Sequence, residues 1–435
     1  MNTRTTNPVR IAVALAALAV IAGACSSGSS PSPSTGPSSG LPSASAAAST
    51  AASPSLAGTT VTVWTMEDQA KFEALVAPFE GSTGIDVDVE AVPWDAVGDK
   101  LTTAVASGSG PDVTQIGLSL LPTFIAAGAL EDLAPYRADH PALADENFPE
   151  AVSSANLSTG GMVTSIPWVA DTRILFYRTD IFQEVGIAGP PTTWAEFTAA
   201  AEKLATRGSG NYGYYIPQWD APLPVQFTWQ AGGEVVGDSG AATLDTPEFR
   251  KAVDFYASFF EKKLVPTASD FDQTAGFISG AAPMLISGPY LAAAVKEQAP
   301  ELDGKWAVTT LPKDVNGTAL FAGSNMGVWK DSDNVDGSLA LLDYLASPET
   351  QVAWFQATSQ LPTNIEAAAD PAVTADPNVA VYAAQLKDAK LLPLIPEWDK
   401  IGAEVLSSLN KIVLEGADKE STLQALFQTV AALQQ

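Results

Sequence analysis

A chain of 435 residues is longer than one hydrophobic core usually organises, so two domains are expected. The composition is globular, with 46% hydrophobic and 8% aromatic residues, and a formal net charge of −27 argues against binding nucleic acid or docking electrostatically on anionic membranes. The only cysteine is Cys25 and the only histidine is His140, so an internal disulfide and the usual zinc sites are out of reach, and Cys-His or Ser-His-Asp catalysis would have to use His140. His140 precedes Pro141, which disfavours helix, and a solvated loop position is expected. No cofactor is implied.

Arg4 and Arg10 precede an apolar run from Ile11 to Ala22, and Gly23 and Ala24 follow it. Positive, apolar and small-residue regions in that order make a secretory signal, expected over residues 1–24. Cys25 directly after small residues resembles the bacterial lipobox, although Ala22 stands where that pattern prefers leucine. The likeness implies lipidation of Cys25. Residues 25–58 are almost entirely Ser, Pro, Ala, Gly and Thr, a composition that cannot form a core and predicts a disordered tether.

The folded part opens with the β-branched run Thr59–Trp64, read as a strand. Phe72, Leu75, Val76 and Phe79 then recur at helical spacing, with Gly81 and Gly84 expected to end the helix. Ile85, Val87 and Val89 alternate with acidic residues, as in a half-exposed strand. Val97, Leu101 and Val105 mark a second helix stopped by Gly108–Pro111, and Val113–Ile116 a third strand. Strand, helix, strand, helix, strand predicts a mostly parallel α/β sheet. Further on, Leu175–Tyr177 reads as a strand and Thr193-Trp-Ala-Glu196 as a capping box. Thr246-Pro247 and Ser347-Pro348 are helix starts. Gly208-Ser-Gly-Asn-Tyr-Gly213 fits a dinucleotide pattern. It follows a helix and leads into an expected strand at Tyr212–Ile216, the wrong order for that function.

Several segments taken together resemble the extracellular solute-binding proteins of ATP-binding cassette importers, the class that includes maltose-binding protein. They are Val61-Thr-Val-Trp-Thr-Met-Glu-Asp68, Ser107-Gly-Ser-Gly-Pro-Asp-Val113, Gly128-Ala-Leu-Glu-Asp-Leu133, Ile166-Pro-Trp-Val-Ala-Asp171 with Leu175-Phe-Tyr-Arg-Thr-Asp180, Gly288-Pro-Tyr290 and Leu361-Pro-Thr363. The resemblance implies an α/β, two-lobe periplasmic-binding-protein-like (type II) fold with discontinuous lobes and a central ligand cleft. Lobe one would comprise residues 59–169 and 319–370, and lobe two residues 174–314 and 376–435, with hinge crossings at 170–173, 315–318 and 371–375. It also implies a monomer that captures a sugar and delivers it to a membrane permease from the outer face of a bacterial cell membrane. No catalysis is implied.

A sugar site needs aromatic planes for the C–H faces of the ring and planar polar groups for the hydroxyls. Trp64 ends the first strand, with Glu67 and Asp68 behind it, and Gln115 lies on the third strand. Trp219 and Asp220 sit in a proline-flanked loop, and Asn325 in an expected loop at Gly323-Ser-Asn325. By the resemblance, Asp171 is a carboxylate for hydroxyls, Tyr290 stands where the family usually has tryptophan, and Trp398, beside Glu397, would stack on a sugar ring. Trp194, Trp354, Trp329 and Trp306 read as core. Two other readings stay open: an extracellular glycoside hydrolase, which needs two carboxylates about 5–10 Å apart, and the same fold holding a polyamine or cationic peptide. Arg173 beside Asp171 favours a neutral, hydroxyl-rich ligand instead.

Overall fold

The structure is a computed structural model that describes residues 56–153, 162–237 and 239–435. The expected signal sequence, Cys25 and the tether up to residue 55 lie outside the described residues.

Among the described residues, ten strands form two sheets. They are β1 (Thr60–Thr65), β2 (Asp86–Ala91), β3 (Val113–Gly117), β4 (Ile166–Thr172), β5 (Ile174–Arg178), β6 (Met284–Ser287), β7 (Trp306–Thr309), β8 (Ala319–Val328), β9 (Leu361–Pro362) and β10 (Ala389–Leu391). The larger sheet has the order β2-β1-β3-β8-β4-β9, with β10 paired to the start of β8, and the smaller has the order β6-β5-β7. The expected parallel unit is present as β2-β1-β3. The sheet as a whole is mixed, however, because β8 returns to it in the opposite direction and runs antiparallel to both β3 and β4. The smaller sheet is entirely antiparallel.

Local sequence explains the first unit. Asp68 caps the helix Gln69–Thr83 by accepting the Lys71 N–H at 2.9 Å, and the four apolar residues spaced along it are all buried. Gly81 stays inside that helix, and Gly84 ends it alone with φ +72°. The second helix, Val97–Ser107, stops at Gly108 as expected, and β2 is half exposed. Thr193 and Glu196 form the capping box, and Thr246 and Ser347 each cap a helix that starts with proline. His140 precedes a 3-10 turn, in keeping with a loop.

The strand expected at Tyr212–Ile216 is absent, and only Tyr215 makes an isolated bridge, to Leu285. Of the glycines in the motif, Gly208 and Gly210 take φ +119° and +79° with nothing within 4 Å of an added Cβ, and Gly213 serves packing. A Cβ on Gly213 would lie 2.0 Å from the Ala201 carbonyl oxygen, so this segment lies directly on the helix Trp194–Ala205.

Behind the larger sheet, one core cluster is built on Phe72, Trp168 and Trp354, whose ring centroids are 5.6–6.1 Å apart. A second, larger cluster runs through both sheets and their helices. Trp194, Trp354 and Trp329 are core residues, and Trp306 is half buried, stacked on Phe176. The chain leaves the larger sheet after Thr172, enters the smaller one at Ile174, and returns between Thr309 and Ala319. Arg173 alone separates β4 from β5.

Candidate functional site

The parallel strands place their carboxyl ends together, the usual location of a ligand crevice in an α/β sheet. Glu67 follows β1, Trp94 follows β2, and Gln115 lies on β3. Glu67 is held on both sides. Its Oε1 accepts from Gln115 Nε2 and its Oε2 from Gln360 Nε2, each at 2.8 Å. Burial pushes the Glu67 carboxyl up, the two amides pull it part of the way back, and the Asp171 charge pushes it up again.

Asp171 and Arg173 lie on either side of Thr172, the last residue of β4. Asp171 Oδ2 accepts from Arg173 Nη1 at 3.0 Å, while Oδ1 is buried with no hydrogen-bond partner among the described residues. Burial raises the Asp171 carboxyl, Arg173 lowers it and Asp220 raises it, with a net rise. Asp220 is buried at the turn before the helix Pro222–Gln230, and burial raises its carboxyl against the pull of Arg173. Burial alone would favour the neutral form of Arg173. The charges of Asp171 and Asp220, with the phenols of Tyr290 and Tyr382, outweigh it and hold the guanidinium protonated.

Asp171 and Arg173 are thus in contact at the crossing between the sheets, Asp220, Tyr290 and Tyr382 act on Arg173 electrostatically, and Glu67 feels the Asp171 charge. Gly288 closes the group from the small-sheet side. A Cβ there would lie 2.6 Å from both Asp171 carboxylate oxygens and 2.8 Å from Arg173 Nη1. The hydroxyls of Tyr214, Tyr256 and Tyr382 are buried without hydrogen-bond partners among the described residues, the first two within reach of the Asp220 charge and the third of Asp171. Buried donors and acceptors left open in this way are costly unless something fills them.

The expected site residues divide. Glu67, Gln115, Asp171, Asp220 and Tyr290 belong to this group. Trp219, beside Asp220, is 57% exposed and presents its ring. Trp64 is half buried with Lys100 Nζ 4.0 Å above its ring, so one face is already covered. Asp68 is engaged as a helix cap. Asn325 lies in the middle of β8 and not in a loop, buried and donating to Ser165 Oγ at 2.9 Å. Glu397 is half buried at the start of the helix Trp398–Glu415. Trp398 is 2% exposed and packs in the larger core, so here it offers no stacking face.

Gln360, Tyr382, Tyr214 and Tyr256 escaped the sequence reading, and Arg173 entered it only as a neighbour of Asp171. Trp94 escaped it too: it is 53% exposed and lies against Gly117 at the end of β3. A separate surface groove of about 550 Å³, lined by Tyr177, Phe182 and Pro190 among others, shares no residue with the charged group. Among the described residues no set of three or more His, Cys, Asp or Glu side chains could hold a metal, and no helix is long and apolar enough to cross a membrane.

Two α/β lobes joined at a buried charged crossing define a two-lobe solute-binding fold. The chain belongs to the bacterial extracellular solute-binding protein family, whose model matches residues 64–352. The sugar-binding protein MalE of Xanthomonas citri is 30% identical, covers 86% of this chain and 97% of its own, and superposes with a TM-score of 0.74. A binding protein of Brucella abortus is 28% identical over 84% of this chain and 90% of its own length. The diacetylchitobiose binding protein DasA of Streptomyces coelicolor is 25% identical over 79% and 81%. These relatives are binding proteins, and this chain is a binding protein and not an enzyme. The resemblance to solute-binding proteins of ATP-binding cassette importers is borne out, and the hydrolase reading falls.

Proposed function

We propose that this protein captures a sugar or oligosaccharide in the cleft between its lobes and delivers it to the permease of an ATP-binding cassette importer. The observation that carries the reading is the Asp171 Oδ1 atom at the crossing, buried with no hydrogen-bond partner among the described residues, with the Tyr382 hydroxyl in the same state within reach of the Asp171 charge. A neutral ligand rich in hydroxyls satisfies such atoms without adding a charge to bury. The names of its relatives, a sugar-binding protein and a diacetylchitobiose binding protein, support the same class.

In this proposal the lobes comprise residues 59–169 with 319–370 and 174–314 with 376–435. Crossings at 170–173, 315–318 and 371–375 act as the hinge, closing on ligand. Asp171, Glu67, Asp220 and Tyr290 contact the sugar, and Trp219 stacks on it. The protein works as a monomer on the outer face of a bacterial membrane, cleaved before Cys25 and anchored by lipid there. A tether of this length spans about 30 Å as a flexible coil, and two acyl chains suffice for stable anchoring.

Three carboxylates, Glu67 and Asp171 half buried and Asp220 buried, against one guanidinium favour a second reading, a polyamine held by charge. A thermal-shift screen separates the two. A ligand at a hundred times its Kd stabilises the fold by about 2.7 kcal/mol, a shift of a few degrees. Maltotriose, mannotriose and N,N′-diacetylchitobiose test the first reading and spermidine the second. A shift with spermidine alone overturns the sugar, and replacing Cys25 by serine should release the protein from membranes.

A further inference from the structure

Glu67 is the only carboxylate of the group whose two oxygens are each gripped by a side-chain amide in the contacts described above. Gln115 comes from β3 and Gln360 from the turn entering β9, far apart in sequence. Gln115 is fully buried, and its Oε1 accepts from Thr65 Oγ1 at 2.7 Å and from the Met66 N–H at 2.8 Å. Its Nε2 donates to Ser324 Oγ at 2.7 Å as well as to Glu67. A primary amide has two donors and two acceptor lone pairs, so Gln115 has nothing left for a ligand. Gln360 is oriented in turn by Trp354, whose Nε1 donates to its Oε1 at 2.6 Å.

We infer that Gln115 and Gln360 are positioning residues that act through Glu67, fixing its carboxylate as a two-point acceptor for a pair of neighbouring ligand hydroxyls. The inference rests on the sugar reading proposed above. A carboxylate has about four lone-pair sites on its two oxygens. One amide on each oxygen leaves one site on each, and those remaining sites share the carboxylate plane. A pair of adjacent hydroxyls on a sugar ring supplies two donors with matching spacing. Because the amides hold the plane in the free protein, binding does not have to freeze it. The same two hydrogen bonds favour the ionised acceptor and oppose part of the rise that burial imposes on Glu67.

The test uses Gln360→Met, which keeps the shape of the side chain and removes the amide. Gln351→Met is the control: Gln351 is another buried glutamine, hydrogen-bonded to Thr363 and Asn364 and with no hydrogen bond to Glu67 among the described residues. Carbon-13 titration of the Glu67 carboxyl in the ligand-free full chain, assigned by its loss in Glu67→Gln, needs no sugar. The expected result is an upward move of the Glu67 midpoint in Gln360→Met and none in Gln351→Met, even where both lower the melting temperature.

Maltotriose, mannotriose and N,N′-diacetylchitobiose are then titrated by calorimetry across the acid range. For a sugar that the wild type binds, Gln360→Met should weaken binding about tenfold, and its affinity should fall away at a higher pH than in the wild type. An unmoved midpoint in Gln360→Met, an equal move in Gln351→Met, or unchanged affinity and pH profile overturns the inference. If no sugar binds the wild type, the sugar reading and the hydroxyl pair fall together, while the titration still decides whether the amides hold Glu67.

Discussion

Asp171 Oδ2 lies 3.0 Å from Arg173 Nη1, and the residue between them, Thr172, is the last of β4, where the chain leaves the larger sheet for the smaller. Side chains two positions apart in an extended chain share a face, so the crossing itself brings acid and base together. The ion pair thus sits where the two sheets meet. Gly288 leaves room for it from the other side.

Removing the guanidinium should make stability depend strongly on pH. Arg173→Met leaves Asp171 and Asp220 buried with no positive neighbour, and breaking such a pair costs about 3–5 kcal/mol at neutral pH. Both carboxyls are raised already and would rise further. A carboxyl whose folded value exceeds its unfolded one contributes stability below the unfolded value and loses it as pH rises through the folded one. The variant should therefore regain stability as pH falls towards the ordinary carboxylate range. Urea unfolding at several pH values checks this, and a deficit that stays constant with pH counts against it.

Asp220→Asn should behave in the opposite way at neutral pH. Burial outweighs Arg173 at this carboxyl, so the ionised form is a net burden on the fold once pH exceeds its raised folded value. The amide variant should match or exceed the wild type in unfolding free energy there and lose the advantage in acid. Its affinity for the sugar should drop. A destabilised Asp220→Asn at neutral pH would show that Asp220 serves mainly as the partner of Arg173.

Asp112 gives the reverse sign. Burial raises its carboxyl, but hydrogen bonds from Ser332, Thr62 and Asn334 outweigh burial and hold it below the usual range. Its Oδ1 accepts from Ser332 Oγ at 2.6 Å and its Oδ2 from the Thr62 N–H at 2.8 Å, tying β1 to the segment after β8. Asp112→Ala should cost about 2–3 kcal/mol above the usual carboxylate range. The difference from the wild type should shrink as pH falls through the lowered value, with sugar affinity unchanged.

What the sequence reveals and what it hides follow from range. The β1-helix-β2-helix-β3 unit is legible because periods of 2 and 3.6, and caps such as Asp68 and Thr193, are local signals. Asp171 is legible because its segment carries a family likeness. β8 is not, because Gly323-Ser-Asn325 reads as a turn. In the fold, Gly323 has φ +141°, and a Cβ there would lie 2.1 Å from the Val169 carbonyl oxygen, so this glycine marks a close approach to β4 inside a strand. Gln360 and Tyr382 carry no local pattern, since their roles depend on partners hundreds of residues away in the chain. Trp398 shows the converse: a likeness suggests a stacking platform, and the packing buries the ring.

The two tryptophans assigned to stacking should separate cleanly. Trp398 is 2% exposed, so Trp398→Ala should leave a core cavity and cost about 3–5 kcal/mol. Any loss of affinity would then follow the loss of folded protein and disappear when binding is measured per folded molecule. Trp219 is 57% exposed beside Asp220, so its truncation should change stability by no more than about 0.5 kcal/mol. Losing a stacked ring should weaken the sugar by about tenfold. Calorimetric titration with the best-binding trisaccharide, paired with urea unfolding of both variants, reads the two quantities separately. If Trp398→Ala keeps its stability and loses the sugar, the ring must swing out of the core when ligand enters, and the platform suggested by family likeness would be restored. If Trp219→Ala binds as the wild type does, the exposed ring faces away from the cleft and stacking falls to Tyr290 or Trp94.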